Sequence, residues 1–215
     1  MATNALWSGG LLVLLAGSIA HAQSVNGGFE SGTGTDADNW SQLEIFNGSG
    51  NAMADRVMTN PASGDWHMAF SVTGAGDGFG PVAEIQQQTA VGSVNPGNSY
   101  DFSFLATGVA GPGSVAFYEV SWFDGDGSNG GGPQGSATGL QVFGLTPAYQ
   151  SYGQSALVAP AGADSVFISI RIVTGAFDGA FGSMDVDDVS FTPAPGALLV
   201  AGMSGCFMLG RRRRA

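Results

Sequence analysis

Glu44, Glu84 and Glu119 are the residues best suited to acid or base chemistry, because a pair of carboxylates can divide the work of breaking a glycosidic bond. No other reactive set accompanies them. His67 lies between Trp66 and Met68 in an apolar run, the setting of a structural histidine rather than of a ligand or base. The single cysteine, Cys206, is close to the C-terminus, lysine is absent, and no serine occupies a G-x-S-x-G turn. A hydrolytic metal would need a His and carboxylate cluster, which is missing. In "DGDGSNGGGPQG", Asp124, Asp126 and Asn129 suggest a calcium loop, but Asn129 and Gly135 stand where that loop needs a glycine and a glutamate. A hairpin loop is expected there instead.

The same residue types serve a binding surface better. Sugar recognition stacks aromatic rings on pyranose faces and gives hydroxyls to amides and carboxylates. Glu84, Gln86 and Gln88 on one strand, Glu119 and Ser121 on another, and Phe167 and Arg171 on a third offer that chemistry if the strands share a sheet. Arg171 either meets a ligand or pairs with Glu119 or Glu84 across the solvent face.

The elements that must position these residues read as strands. In "SYDFSFLATG", Tyr100, Phe102, Phe104 and Ala106 alternate with more polar neighbours. In "DSVFISIRIVTG", Val166, Ile168, Ile170 and Ile172 form an inner face opposite Phe167, Ser169, Arg171 and Val173. Further strands are expected over residues 40–46, 66–72, 82–88, 115–123, 149–158 and 183–191, separated by Gly, Asn, Asp and Pro. No stretch has helical periodicity and no repeat stands out. An all-β, two-sheet sandwich follows.

Both ends read as addresses. "LLVLLAGSIAHAQ" supplies an apolar core, and Ala20 and Ala22 supply the small-residue pattern of a signal peptide ending at residue 22. At the other end, an apolar run from Ala197 to Gly210 is too short to span a bilayer core of about 30 Å. It is followed by Arg211, Arg212, Arg213 and Arg214, which can hold it at a cytoplasmic surface as a transient anchor. The chain has 6 basic and 17 acidic residues. Without those four arginines, Arg56 and Arg171 remain, and the balance is 2 − 17 = −15. So acidic a surface disfavours nucleic acid and anionic membrane as partners.

Pro193-Ala194-Pro195-Gly196, a short apolar helix and a terminal arginine cluster together resemble the PEP-CTERM sorting signal of Gram-negative bacteria, with Ala194 where that family usually has Glu. The resemblance implies an exported protein held briefly in the inner membrane. An exosortase-type transpeptidase then cuts near Pro193 and Pro195 and passes the protein to the cell surface or matrix.

A second resemblance covers the domain. "VNGGFESG", "NW", "VNPGNSYDFSF", "AYQSYGQSALVAPAGADSVFISIRI" and "SMDVDDVSF", in that order, are similar to the galactose-binding-like jelly-roll domains that include many carbohydrate-binding modules. It implies a structural calcium shared by Glu30 and Asp187. Alternation places Asp187 on the core face with Val189 and Phe191, where a carboxylate needs a partner. Either calcium, with carbonyls and water completing its shell, or backbone N–H donors could supply one.

The expected architecture is a signal peptide over 1–22, a jelly-roll β-sandwich over 23–192 and a sorting tail with a short hydrophobic helix over 193–215. The expected function is non-catalytic: an exported surface or matrix protein that binds carbohydrate or exopolysaccharide. A structural or adhesive matrix protein without a sugar ligand is the alternative, and a small glycan-active enzyme comes third.

Overall fold

The structure, a computed structural model, describes residues 23–46, 48–77, 80–125, 133–136 and 138–195. The signal peptide with Ala20 and Ala22, the loop residues Asp126 and Asn129, the apolar tail and Arg211 to Arg214 lie outside the described residues.

Thirteen strands and no helix are found among the described residues. In chain order they are β1 (Gly32–Thr33), β2 (Asp36–Ala37), β3 (Ser41–Ile45), β4 (Asn51–Val57), β5 (His67–Thr73), β6 (Val82–Gln88) and β7 (Ser99–Ala110). There follow β8 (Ser114–Phe123), β9 (Pro133–Ser136), β10 (Gln141–Phe143), β11 (Gln150–Val158), β12 (Ser165–Thr174) and β13 (Phe181–Pro193). One sheet has the order β10-β8-β12-β6-β3, with β9 also paired to β8, and the other has the order β11-β7-β13-β5-β4. Every pairing is antiparallel, and β1 with β2 forms a small ribbon. This is the jelly-roll β-sandwich that the alternating strands lead one to expect.

The core lies between the two sheets. Tyr100, Phe102, Phe104 and Ala106 of β7 and Val166, Ile168, Ile170 and Ile172 of β12 are all buried. Tyr100 stacks on Phe191 with ring centroids 5.2 Å apart and meets Trp122 at 5.8 Å. Burying such a side chain contributes roughly 1.5–3 kcal/mol, so the two alternating strands supply much of the force that closes the sandwich. β8 and β9 pair antiparallel on either side of the 124–132 loop, the hairpin expected there.

Two crossovers between the sheets pack on each other. The segment after β5, "VTGAGDGFG", passes from one sheet to the other, and the segment after β12, "VTGAFDGAFG", passes back. They share a pattern that periodicity does not reveal. Gly74 donates its N–H to the carbonyl of Ala180 at 2.7 Å. A side chain on Gly80 would overlap the carbonyl of Thr174, so the close approach of the two backbones requires glycine there.

β4 was not anticipated from the sequence. "NAMADRV" is poor in β-branched and aromatic residues, and it is held by its pairing with β5 and by burial of Ala52, Ala54 and Arg56 on alternate positions.

Candidate functional site

The strands proposed to share a polar face are neighbours in one sheet. Arg171 on β12 lies opposite Glu84 on β6 and Phe117 on β8, Ser169 opposite Gln86 and Glu119, and Phe167 opposite Gln88 and Ser121. Because strands lie about 4.8 Å apart, these rows place all the proposed ligand-binding residues on one surface.

Their arrangement is a network centred on Arg171. Its Nη1 is 3.7 Å from Glu84 Oε2 and its Nη2 is 3.5 Å from Glu119 Oε2. Glu84 Oε1 accepts from Ser169 Oγ and from Gln86 Nε2, and Glu119 Oε1 accepts from Ser121 Oγ at 2.6 Å. Gln88 Nε2 donates to Ser165 Oγ at 2.8 Å, and the Phe167 ring meets Phe123 edge-on at 6.4 Å. Both contacts of Arg171 exceed the 2.7–2.9 Å of a tight charge-assisted bond, which leaves guanidinium donors with capacity for a further acceptor. Arg171 and Glu119 side chains are each 24% exposed, but Glu84 is 3% exposed and Ser169 is fully buried. The open polar face expected at these two positions is therefore corrected. The Arg171 side chain and its hydrogen-bonded neighbours close over them.

A cavity of about 450 Å³ lies at the seam of edge strands β3 and β4, lined in part by Asp36, Leu43, Glu44 and Asp55. Burial raises the Asp55 carboxyl above the usual range, and repulsion from Glu44 and Asp36 adds to it. Leu43 is also the β3 neighbour of Glu84, so the cavity adjoins the Arg171 face.

Glu30 and Asp187 both reach the loop before β5. Asp187 Oδ2 accepts from the N–H groups of Ala62 at 2.9 Å and Ser63 at 3.0 Å, and Oδ1 accepts from Asp188 N–H at 2.7 Å. Glu30 Oε1 accepts from the N–H groups of Asp65 at 2.9 Å and Trp66 at 3.2 Å. Asp188 Oδ1 accepts from Ser63 Oγ at 2.7 Å. A Cβ on Gly28 would lie 3.6 Å from Asp188 Oδ1, 3.9 Å from Asp187 Oδ1 and 3.9 Å from Glu30 Cγ, so these side chains surround the space that this glycine leaves empty. Burial raises the Asp187 carboxyl, opposed by its amide bonds.

The expected facing of Asp187 is also corrected. A bulge between Asp187 and Ser190 inserts one residue opposite β7, so Asp187 pairs with Leu105 on the outer face while Phe191 pairs with Phe102 inside. Asp187 is nevertheless fully buried, covered by the 62–66 loop whose amides it binds. Period-two reading fails here because one extra residue reverses every side chain beyond it.

Arg56 completes this corner. It is 4% exposed, donates from Nε to the Phe29 carbonyl and from Nη2 to the Glu30 carbonyl at 2.8 Å, and lies 3.5 Å over the Trp66 ring. Its signal in the sequence was its place in the alternation Ala52, Ala54, Arg56 within a domain nearly devoid of cations. His67 is fully buried, as a structural histidine would be. It is not satisfied, however: neither ring nitrogen has a hydrogen-bond partner, and Nε2 stands 3.5 Å from Asp185 Oδ1. Among the described residues no group of three or more His, Cys, Asp or Glu side chains is disposed to hold a metal ion.

No family model and no curated protein matches the sequence. Solved structures do share the fold. One is the enzymatically active domain of tailspike protein 4 of bacteriophage CBA120, with a TM-score of 0.56 and 15% identity over 80% of this chain and 21% of that one. Another comes from work on the promiscuous specificity of carbohydrate-binding modules of the β-sandwich superfamily, with a TM-score of 0.52 and 15% identity over 80% of this chain and 63% of that one. A third is the carbohydrate-binding module CBM4, with a TM-score of 0.50 and 17% identity over 79% of this chain and 99% of that one. The chain thus spans about a fifth of the tailspike domain, less than two thirds of the second structure and nearly all of the third. At these identities the likeness is one of fold.

Proposed function

We propose that the domain is a non-catalytic carbohydrate-binding module of an exported surface or matrix protein, and that the outer face around Arg171 receives the glycan. The observation that carries the reading is the Glu84, Arg171 and Glu119 network, in which long ionic contacts leave donors and acceptors side by side for sugar hydroxyls. Phe167 and Phe117 flank it. The fold supports the reading, since the solved structures that share it include carbohydrate-binding modules. The decisive experiment is binding of the purified exported protein to a glycan array. Binding that falls more than tenfold in Arg171→Ala supports the reading, a loss of about 1.4 kcal/mol. An array with no bound glycan overturns it, and favours a matrix protein whose Arg171 network serves only to tie β6, β12 and β8 together. Release of new reducing ends from a bound glycan would instead mark the domain as an enzyme.

The second part of the proposal concerns calcium. The amide bonds described for Glu30 involve only Oε1, and a carboxylate offers about four lone-pair sites, so acceptor capacity remains on Glu30 and Asp187 beside the empty space over Gly28. An ion would have to draw the two together and complete its shell with carbonyls and water. Chelation should then lower the melting temperature, by about 2.7 kcal/mol of stability when calcium is a hundredfold above its Kd. Equal melting curves with calcium and with chelator would leave the backbone donors as the whole account of these carboxylates.

The third part concerns export. The order of Pro193 to Pro195, apolar run and Arg211 to Arg214 supports delivery through a transient inner-membrane anchor and release by an exosortase-type transpeptidase. Replacing the four arginines with serine should leave unprocessed precursor in cell fractions.

A further inference from the structure

We infer that the chain is cut beyond Pro195, so that Pro193 and Ala194 stay with the domain as the closing residues of its last strand. The inference rests on the reading of the C-terminus as a cleavable tail.

β13 does not stop where the motif begins. Phe191, Thr192 and Pro193 pair with Phe102, Asp101 and Tyr100 of β7, and Ala194 donates its N–H to the Ser99 carbonyl at 2.9 Å. The opposite side of the strand is held by the start of the domain. Ser24 Oγ accepts from Phe191 N–H and donates to the Val189 carbonyl, and Val189 N–H donates to the Gly27 carbonyl at 2.9 Å. Phe191 is fully buried and its ring lies 8° from parallel with Tyr100. Thr192, Pro193 and Ala194 are half-buried, and Pro195 is the first exposed residue.

A transpeptidase must take the residues around the scissile bond as an unpaired stretch. Cleavage at a protected site proceeds through the opened fraction, so it slows tenfold for each 1.4 kcal/mol needed to open it. Attack at the carbonyl of Thr192, Pro193 or Ala194 would require stripping the strand end from β7. Attack at the Pro195 carbonyl, or at one beyond it, requires no opening. In the reaction, a nucleophile forms a bond to that carbonyl carbon and the peptide C–N bond breaks. The tail leaves as an amine that takes up the proton, and the acyl group passes to an amine or hydroxyl of an acceptor, or to water.

The test is tandem mass spectrometry of the C-terminal peptide of the surface form, made by full-length protein in its own cell and read for the last residue contributed by this chain. A last residue at Pro195 or later, short of the arginines, is the expected result. A last residue at Ala194 or earlier overturns the inference while leaving the tail reading intact, because it would mean cutting before β13 closes. A peptide extending through Ala215 overturns both.

Discussion

Asp187 shows how much one side chain can organise. Its carboxylate accepts amide bonds from Ala62, Ser63 and Asp188, so it fixes the loop ahead of β5 to the centre of a sheet. Removing it strands those amides in a buried site, at a cost of about 1–3 kcal/mol for an unsatisfied group. Asp187→Ala is therefore expected to lower stability in chemical denaturation by at least about 2 kcal/mol. Asp188→Ala loses one hydroxyl bond at an exposed position and should cost under about 1 kcal/mol. Similar losses in the two variants would mean that the loop is held by other contacts. The adjacent Arg56 has no carboxylate within ion-pair distance among the described residues, and its charge is met by carbonyls and the Trp66 ring. Arg56→Lys keeps the charge and loses the planar fork, and should cost about 1–2 kcal/mol by the same measurement. An unchanged denaturation midpoint would refute the role assigned to its geometry.

At the scale of elements, the weakest seam joins β3 to β4, edge strands of different sheets that meet at the acidic cavity. Asp55 has a raised pKa there, so the folded state holds its proton more tightly than the unfolded chain. The sign follows from linkage: the ionised carboxylate penalises folding above its folded pKa, and the penalty fades as pH falls toward 3.8. Asp55→Asn should thus melt higher than wild type at pH 7, by about 1–2 °C, with the gap closing as the pH approaches 4. A gap that widens on acidification would show that the carboxylate is net stabilising. Glycine matters at this scale where elements touch. Gly64, with φ of 61° shared in kind with other turns, has a backbone φ of +60° and leaves no room for a side chain beside Glu30 Oε1, which lets that carboxylate reach the loop amides.

For the whole molecule, the net charge of 2 − 17 = −15 outside the terminal arginines is a source of self-repulsion that salt screens. Raising sodium chloride from about 10 mM to about 150 mM, which shortens the Debye length from about 30 Å to about 8 Å, should raise the melting temperature. A decrease would mean that the Arg171 and Arg56 contacts outweigh the repulsion. The sandwich itself could be read from the chain, because β7 and β12 alternate apolar and polar residues over their full length and a half-buried sheet demands that period. So could the membership of Glu84, Glu119 and Arg171 in one surface, given that their strands pair. Three things were settled only by tertiary structure. The bulge at Asp187 moved it to the outer face, since alternation carries no information across an inserted residue. The burial of Glu84 and Ser169 depended on where the Arg171 side chain lies. The strand identity of "NAMADRV" came from pairing with β5, because its local propensity is low and long-range contacts, which a local pattern does not encode, decide the conformation of such a segment.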